Sequence, residues 1–356
     1  MSVPHIQHRL DPDDPNTSIK AVIKEIKPEL DPENLEFFEF TEGISNKLVG
    51  CRPTGGSDQE ILLFRIYGNK TELFIDRKKE IATYSILNPL GYAPPVYATF
   101  ENGFCYGFMV GSVMCTKTVC DPHISSLIAK HVADLHAIKL QEENPQPSWY
   151  KAILHFFSII PDKFPHAAKE NRFKEVLGSK AHLLEEVKLL NSKLDKLESA
   201  IVFAHNDLLC KNIIYNKDKD SVCTIDFEYA NPNPIAYDIA NHFCEYAGVD
   251  EVDYSLYPQK DHQVKFLESY LKRAMELQGI SVHTSGEKDV NPSSKEIEKL
   301  YVHVNQFALA AHFFWGVWGL VQAHYSEIDF DFLEYAITRL NEYYLRKEKF
   351  LSLTCE

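Results

Sequence analysis

An apolar run ends at Ala204, and the next three residues are His205, Asn206 and Asp207. Asn212 then opens a second run, Ile213-Ile214-Tyr215. A third, Val222-Cys223-Thr224-Ile225, ends in Asp226. An ionised carboxylate at the end of a buried strand needs a partner, because an uncompensated charge there is costly. The polar stretch 216–221 between the second and third runs predicts a β-hairpin, with paired residue numbers summing to about 437. The mouth of that hairpin would gather Asp207, Asn212 and Asp226. Two carboxylates and an amide are hard oxygen donors, which suit Mg²⁺ rather than zinc or copper.

The elements around these residues divide the chain. Residues 1–16 are polar and rich in Pro and Asp, and are expected to be disordered. Ile19 to Ile26 has helical spacing and is stopped by Pro28. Short β-like runs follow, LEFFEF, KLVGC and EILLFRIYG, then a helix from Asp76 to Leu87 with Asp76 as its N-cap. A hairpin is expected over 98–110, turning at Glu101-Asn102-Gly103. Beyond Val110 the pattern becomes helical: 124–139, 180–197, 235–247, 260–279, 296–324 and 329–348, with 141–148 as a linker and a surface loop near 281–296. The expected fold class is α+β. A β-rich lobe spans 17–110, and a larger, mainly helical lobe spans 111–356.

Bulk properties narrow the function. With 356 residues, more than one core is expected. A net charge of −14 argues against a nucleic-acid binder, which needs a basic footprint. The eight Cys residues show no CxxC spacing and read as reduced, mostly buried thiols. No basic region followed by an apolar core opens the chain, so no signal peptide is expected. The apolar stretch 307–323 is slightly short for a membrane span and carries His312 and Gln322, so it reads as a buried helix. A cytoplasmic protein is expected.

His-x-Asp-x-x-x-x-Asn followed by Asp-Phe is the catalytic-loop and metal-loop arrangement of the protein-kinase fold. In that scheme Asp207 orients the attacking hydroxyl, while Asn212 and Asp226 hold Mg²⁺ against the phosphates of ATP. Glu228 either reaches the ion through water or simply faces solvent. Asn206 stands where a loop-phosphorylated kinase carries Arg, and few residues separate Asp226 from the next helix. A small-molecule acceptor is therefore expected. His205 and Asp238 read as supports for the loop.

The chain resembles the choline/ethanolamine kinases, and the ethanolamine branch most. The stretches that carry the resemblance are FTEGISNKLVGC, FRIYGNKTELFIDR, NGFCYGF, HNDLLCKNIIYN, IDFEYANPNPIAYDIANHF, AGVDEVDYSLYP and NQFALAAHFFWGVWGLVQAHYSEIDFDFLEYA, spread over residues 40 to 336. The resemblance implies a protein-kinase-like fold and transfer of phosphate from ATP, with Mg²⁺, to the hydroxyl of ethanolamine, the entry step to phosphatidylethanolamine. It implies that Gly43, Ile44, Ser45 and Asn46 cover the phosphates and that Arg65 grips them, with Glu80 as the partner of Arg65. It implies that the hinge at 104–110, including Phe108 and Val110, receives adenine. The ethanolamine branch more often has Glu near position 107 and a polar residue at 110, where this chain has Gly107 and Val110. It implies that Glu245, Trp315, Trp318 and Tyr335 meet the substrate ammonium, by charge and through aromatic faces. From the residues alone, the three aromatics read equally well as core. Choline as substrate and a non-catalytic pseudokinase are the alternatives, and a homodimer is left open.

Overall fold

A computed structural model describes residues 3–40, 46–68, 75–249, 251–278 and 291–355. Contacts divide the chain into two units. Unit 1 is Met1–Val113 with Ile214–Glu228, and unit 2 is Met114–Ile213 with Tyr229–Glu356. The first unit thus takes in the segment 214–228, which a division at residue 110 does not anticipate.

Unit 1 is built on a six-stranded sheet among the described residues. Its strands are β1 (His5–Ile6), β2 (Leu35–Phe40), β3 (Asn46–Pro53), β4 (Leu62–Tyr67), β5 (Val96–Phe100) and β6 (Gly103–Gly107), in the order β1-β5-β6-β4-β3-β2. Alternating apolar residues of β3 and β4, Val49, Cys51, Phe64 and Ile66, enter one core. Helix α1 (Pro15–Ile26) adds Ile19, Val22 and Ile23 from a single face, and Asp14 caps its first turn at the Thr17 N–H.

The expectation of disorder over 1–16 is corrected here for residues 3–16. His5 and Ile6 pair in parallel with Thr99 and Phe100. Ile6 and Leu10 are buried in the core, and Leu10 gives its N–H to Asn102 Oδ1 and takes an N–H from Asn102 Nδ2, both at 2.9 Å. Two well-placed apolar residues and one amide side chain hold a segment whose composition alone reads as polar tail.

Helix α2 (Arg77–Leu87) starts as expected. The Asp76 carboxylate accepts from the N–H groups of Lys78 and Lys79. Strand β7 (Ser112–Val113) pairs with β9 (Ile213–Asn216, its first residue counted with unit 2), and β10 (Ser221–Thr224) lies on the other side of β9. The anticipated β9–β10 hairpin is therefore present, closed by the turn over 217–220 with Asp220 at a φ of 46°.

Unit 2 is mostly helical. Strand β8 (Ile201–Ala204) pairs antiparallel with β11 (Asn231–Pro234), whose two prolines would ordinarily argue against a strand. The ribbon tolerates them because it has only two strands among the described residues. Around it lie α3 (Pro122–His136), α4 (Ser148–Ile159), α5 (Ala167–Leu177), α6 (Lys180–Leu194), α7 (Ile235–Cys244), α8 (Lys260–Leu277), α9 (Ser294–Tyr325) and α10 (Phe332–Leu351). Helices α4 and α5 are not apparent from periodicity. Asn233 Oδ1 accepts from the N–H groups of Ser148 and Trp149, so β11 caps the start of α4. Helix α9 is apolar on all sides through its middle because it is buried on all sides, against α4, α7, α8 and α10. No helix among the described residues is long and apolar enough to cross a membrane. A Cβ on Gly316 would lie 2.6 Å from Leu340, and one on Gly319 would lie 2.9 Å from Tyr335, so the two glycines set how closely α10 approaches α9.

The buried histidines of unit 2 give the fold an acid-sensitive limb. Burial, with repulsion from His205, pushes His131 on α3 down to about 4. Burial also pushes His242 on α7 down to about 4, against a hydrogen bond to the Leu208 carbonyl and the charge of Asp238. Both ordinarily protonate near 6.5. As pH falls from 6.5 towards 4, the unfolded chain binds protons that the folded chain refuses, so stability falls. The limiting slope for two such groups is ~2.7 kcal/mol per pH unit. Asp238 does not contribute in this window. Burial alone would raise it, but His136 and the loop N–H groups leave it below the usual 3.8. Burial holds His262, His303, His312 and His324 below their ordinary value as well. The urea midpoint is therefore expected to drop between pH 7 and pH 5, and His131→Gln should remove a part of the slope. A midpoint that stays flat over that range would contradict neutral, buried histidines.

Candidate active site

The loop after β8 is tied from several directions within unit 2. Asn206 sits at a φ of 67°, a left-handed conformation that Asn tolerates better than most residues. Its Nδ2 donates to the Tyr229 and Asn231 carbonyls, and its Oδ1 accepts from Asn233. Asp238, the first-turn acid of α7, accepts the N–H groups of His205 at 2.9 Å and Asn206 at 2.7 Å, and pairs with His136. The His205 ring nitrogen Nδ1 accepts the Asp207 N–H at 3.3 Å. Asn212 Nδ2 donates to both the main-chain oxygen and the carboxylate of Asp207, at 2.9 and 3.0 Å. The amide end of Asn212 is thus committed to Asp207, and its Oδ1 is the end left to act as a ligand. The loop holds Asp207 in one orientation before any substrate arrives.

Glu245 follows α7, and the structure gives it a partner that the sequence did not suggest. Arg339 on α10 donates from Nη1 to Glu245 Oε1 at 2.7 Å, and both side chains are buried. Trp315 and Trp318 pack edge-on at 5.4 Å, Trp318 meets Tyr335 at 6.0 Å, and Tyr229 meets Trp315 at 5.2 Å. The indole N–H groups are satisfied inside the protein, Trp315 by Asn241 and Trp318 by the Tyr229 hydroxyl. The indole N–H groups are therefore already used, which leaves only ring faces and edges for any ligand.

Unit 1 holds a second cluster. Arg65 on β4 is buried, and its Nη1 lies 2.7 Å from Glu80, 2.9 Å from Asp226 and 3.5 Å from Glu228. Arg77 opens α2 and was not singled out from the sequence. It bonds Glu80, Glu228 and Asn46 at 3.0 Å each, and lies over the Tyr67 ring at 4.1 Å. Asn46 in turn donates to Glu228. Asp226 takes a φ of 64°, a strained setting for a non-glycine residue. Next to it, Phe227 packs against Tyr84 of α2. Burial and the neighbouring Asp226 push Glu228 up to about 7, against the pull of Arg65 and Arg77. Of the hinge residues, Phe108 stacks on Phe40, and the Val110 carbonyl accepts from Asn216. Gly43, Ile44 and Ser45 lie outside the described residues.

Residues 37–344 match the sequence profile of the choline/ethanolamine kinases. The chain belongs to that family. It is 96% identical to a probable ethanolamine kinase of Nematostella vectensis over the whole of both chains. It is 43% identical to ethanolamine kinase 1 of Homo sapiens over 94% of this chain and 72% of that one. Among solved structures, an ethanolamine kinase of Plasmodium vivax matches with a TM-score of 0.79 at 30% identity, covering 94% of this chain and 89% of that one. A choline kinase of Cryptosporidium parvum matches at 0.75 and 25%, covering 93% and 95%. The fold is the protein-kinase-like α+β fold, and this chain is a small-molecule kinase.

In this kinase the donor set of unit 1 fits a hard divalent ion. Carboxylate oxygens of Glu80, Asp226 and Glu228 lie within 4.8 Å of one another. Glu80 is held by both guanidinium groups, which makes it a charge partner rather than a ligand. Asp226 and Glu228 are the better candidates. With Glu228 ionised, three carboxylates against two arginines leave negative charge for a cation to meet. Arg77 and Arg339 could have been found only by asking which basic residues could neutralise the acids already chosen. Arg339 stands four residues after Tyr335, on the same helix face.

Proposed function

We propose that this kinase transfers the γ-phosphoryl group of ATP to the hydroxyl of ethanolamine, giving phosphoethanolamine and ADP, in the cytoplasm and as the entry step to phosphatidylethanolamine. The observation that carries this reading is Asp207, held by Asn212 on a loop pinned by Asp238, in the same unit as Glu245 and the Trp315–Trp318–Tyr335 cluster. The ethanolamine kinase names of its relatives support the choice of acceptor.

In this mechanism the substrate hydroxyl donates to the Asp207 carboxylate and gives up its proton there as the oxygen attacks. Glu245 and the rings of Trp315, Trp318 and Tyr335 receive the ammonium, by hydrogen bonding and by attraction to aromatic faces. Arg65 neutralises phosphate oxygens, with Glu80 holding its guanidinium in place. Asn46, with residues 43–45, covers the phosphates, and the backbone near Phe108 and Val110 receives adenine. Asp226, Asn212 and Glu228 would hold Mg²⁺, which supplies charge neutralisation on the phosphates when bound. Alignment and charge stabilisation account for most of the rate, as in phosphoryl transfer generally.

The test is a panel of amino alcohols with radiolabelled ATP and Mg²⁺, in which ethanolamine and choline compete in one vessel. Labelled phosphoethanolamine should be the main product. Labelled phosphocholine in excess would move the chain to the choline branch, and no amine-dependent transfer would overturn the enzyme.

A further inference from the structure

Arg339 is an unusual residue to bury. Its side chain is almost fully enclosed, yet among the described residues it makes a single hydrogen bond, from Nη1 to Glu245 Oε1. Its Nε and Nη2 groups have no partner, and neither does the nearby Tyr254 hydroxyl. Its guanidinium carbon lies 5.9 Å from the centre of the Tyr335 ring, on the same helix. An arginine kept for structural hydrogen bonding would spend more of its five donors. This one contributes a fixed positive charge at one carboxylate oxygen.

That charge has a consequence for Glu245. A buried carboxylate that accepts a charged hydrogen bond at one oxygen is fixed in direction, and its other oxygen is left for a second donor. We propose that Arg339 is the positioning residue of the amine subsite: it fixes the Glu245 carboxylate through Oε1, so that Oε2 is presented to the N–H groups of the substrate ammonium. This rests on the reading of the chain as an ethanolamine kinase. Arg339 does not touch the amine and acts only through Glu245. The neutral Glu245–Arg339 pair then binds the amine by direction, and the aromatic faces supply the remaining attraction.

The test is a double-mutant cycle on the full chain, with KM measured separately for ethanolamine and for ATP. Arg339→Met should raise KM for ethanolamine at least about tenfold and leave KM for ATP within about twofold. Arg339→Lys, which keeps the charge, should recover most of the loss. In a Glu245→Gln background, Arg339→Met should add nothing, because the group it acts through is gone. Should Arg339→Met alone fail to fold, the Glu245→Gln/Arg339→Met chain carries the test, since it buries no unpaired charge. Its KM for ethanolamine must then equal that of Glu245→Gln. An unchanged KM for ethanolamine in Arg339→Met, an equal rise for both substrates, or a further tenfold rise in the Glu245→Gln background would each overturn the proposal. If the unmodified chain shows no ethanolamine-dependent ADP formation, the ethanolamine reading itself falls, and this proposal with it.

Discussion

Asp207→Ala should lower ethanolamine-dependent ADP formation by at least about a thousandfold while leaving ATP binding nearly intact. The loss is expected to be this large because the loop does little else than present that carboxylate. Asn206, His205, Asn212 and Asp238 all spend hydrogen bonds on holding it. The fold should survive, since Asp238 and Asn206 anchor the loop through groups that the substitution does not touch. Circular dichroism and a thermal melt provide the check on folding, and ATP binding can be measured calorimetrically. A folded variant that retains a tenth or more of the normal rate would remove Asp207 from the chemistry.

Asp226→Asn should be nearly as severe, again about a thousandfold or more in turnover, and should weaken the response to Mg²⁺. Asn is the informative substitution because it tolerates the left-handed backbone at this position, so that charge is the main property changed. Two effects act together. One ionised ligand is lost, and Arg65 is left facing Glu80 and Glu228 with less opposing charge. Titrating Mg²⁺ against activity separates them. A higher Mg²⁺ requirement indicates the lost ligand, and a lower rate at saturating Mg²⁺ indicates the disturbed arginine. Normal turnover at ordinary Mg²⁺ would rule out the assignment of Asp226.

Much of the framework could be read locally. The short β-like runs LEFFEF and LLFRIY, the capping aspartate before α2, and the turn between Tyr215 and Val222 are short-range signals, and each yields an element of the structure. The contact of Asn212 with Asp207 has the same origin, because it depends on one loop. The Arg65–Glu80 pair was expected and is present at 2.7 Å, but the longer-range pairings were not legible. Arg65 meets Asp226 across 161 positions, and Arg339 meets Glu245 across 94, distances over which no periodicity links two residues. Arg77 is the first of three consecutive basic residues, and nothing in the sequence sets it apart from Lys78 and Lys79. The prolines of β11 and the polar composition of 1–16 pointed away from the structure that β11 and residues 3–16 adopt, because tertiary partners override local propensity there.

The short strand His5–Ile6 covers the outer side of β5. A chain shortened to begin beyond Leu10 would keep every residue assigned to chemistry. It would also present a row of unpaired main-chain groups and an apolar groove where Ile6 and Leu10 now sit. Such a boundary offers a template for strand addition by another molecule. The damage from trimming would then appear as self-association that rises with protein concentration, rather than as a slower enzyme.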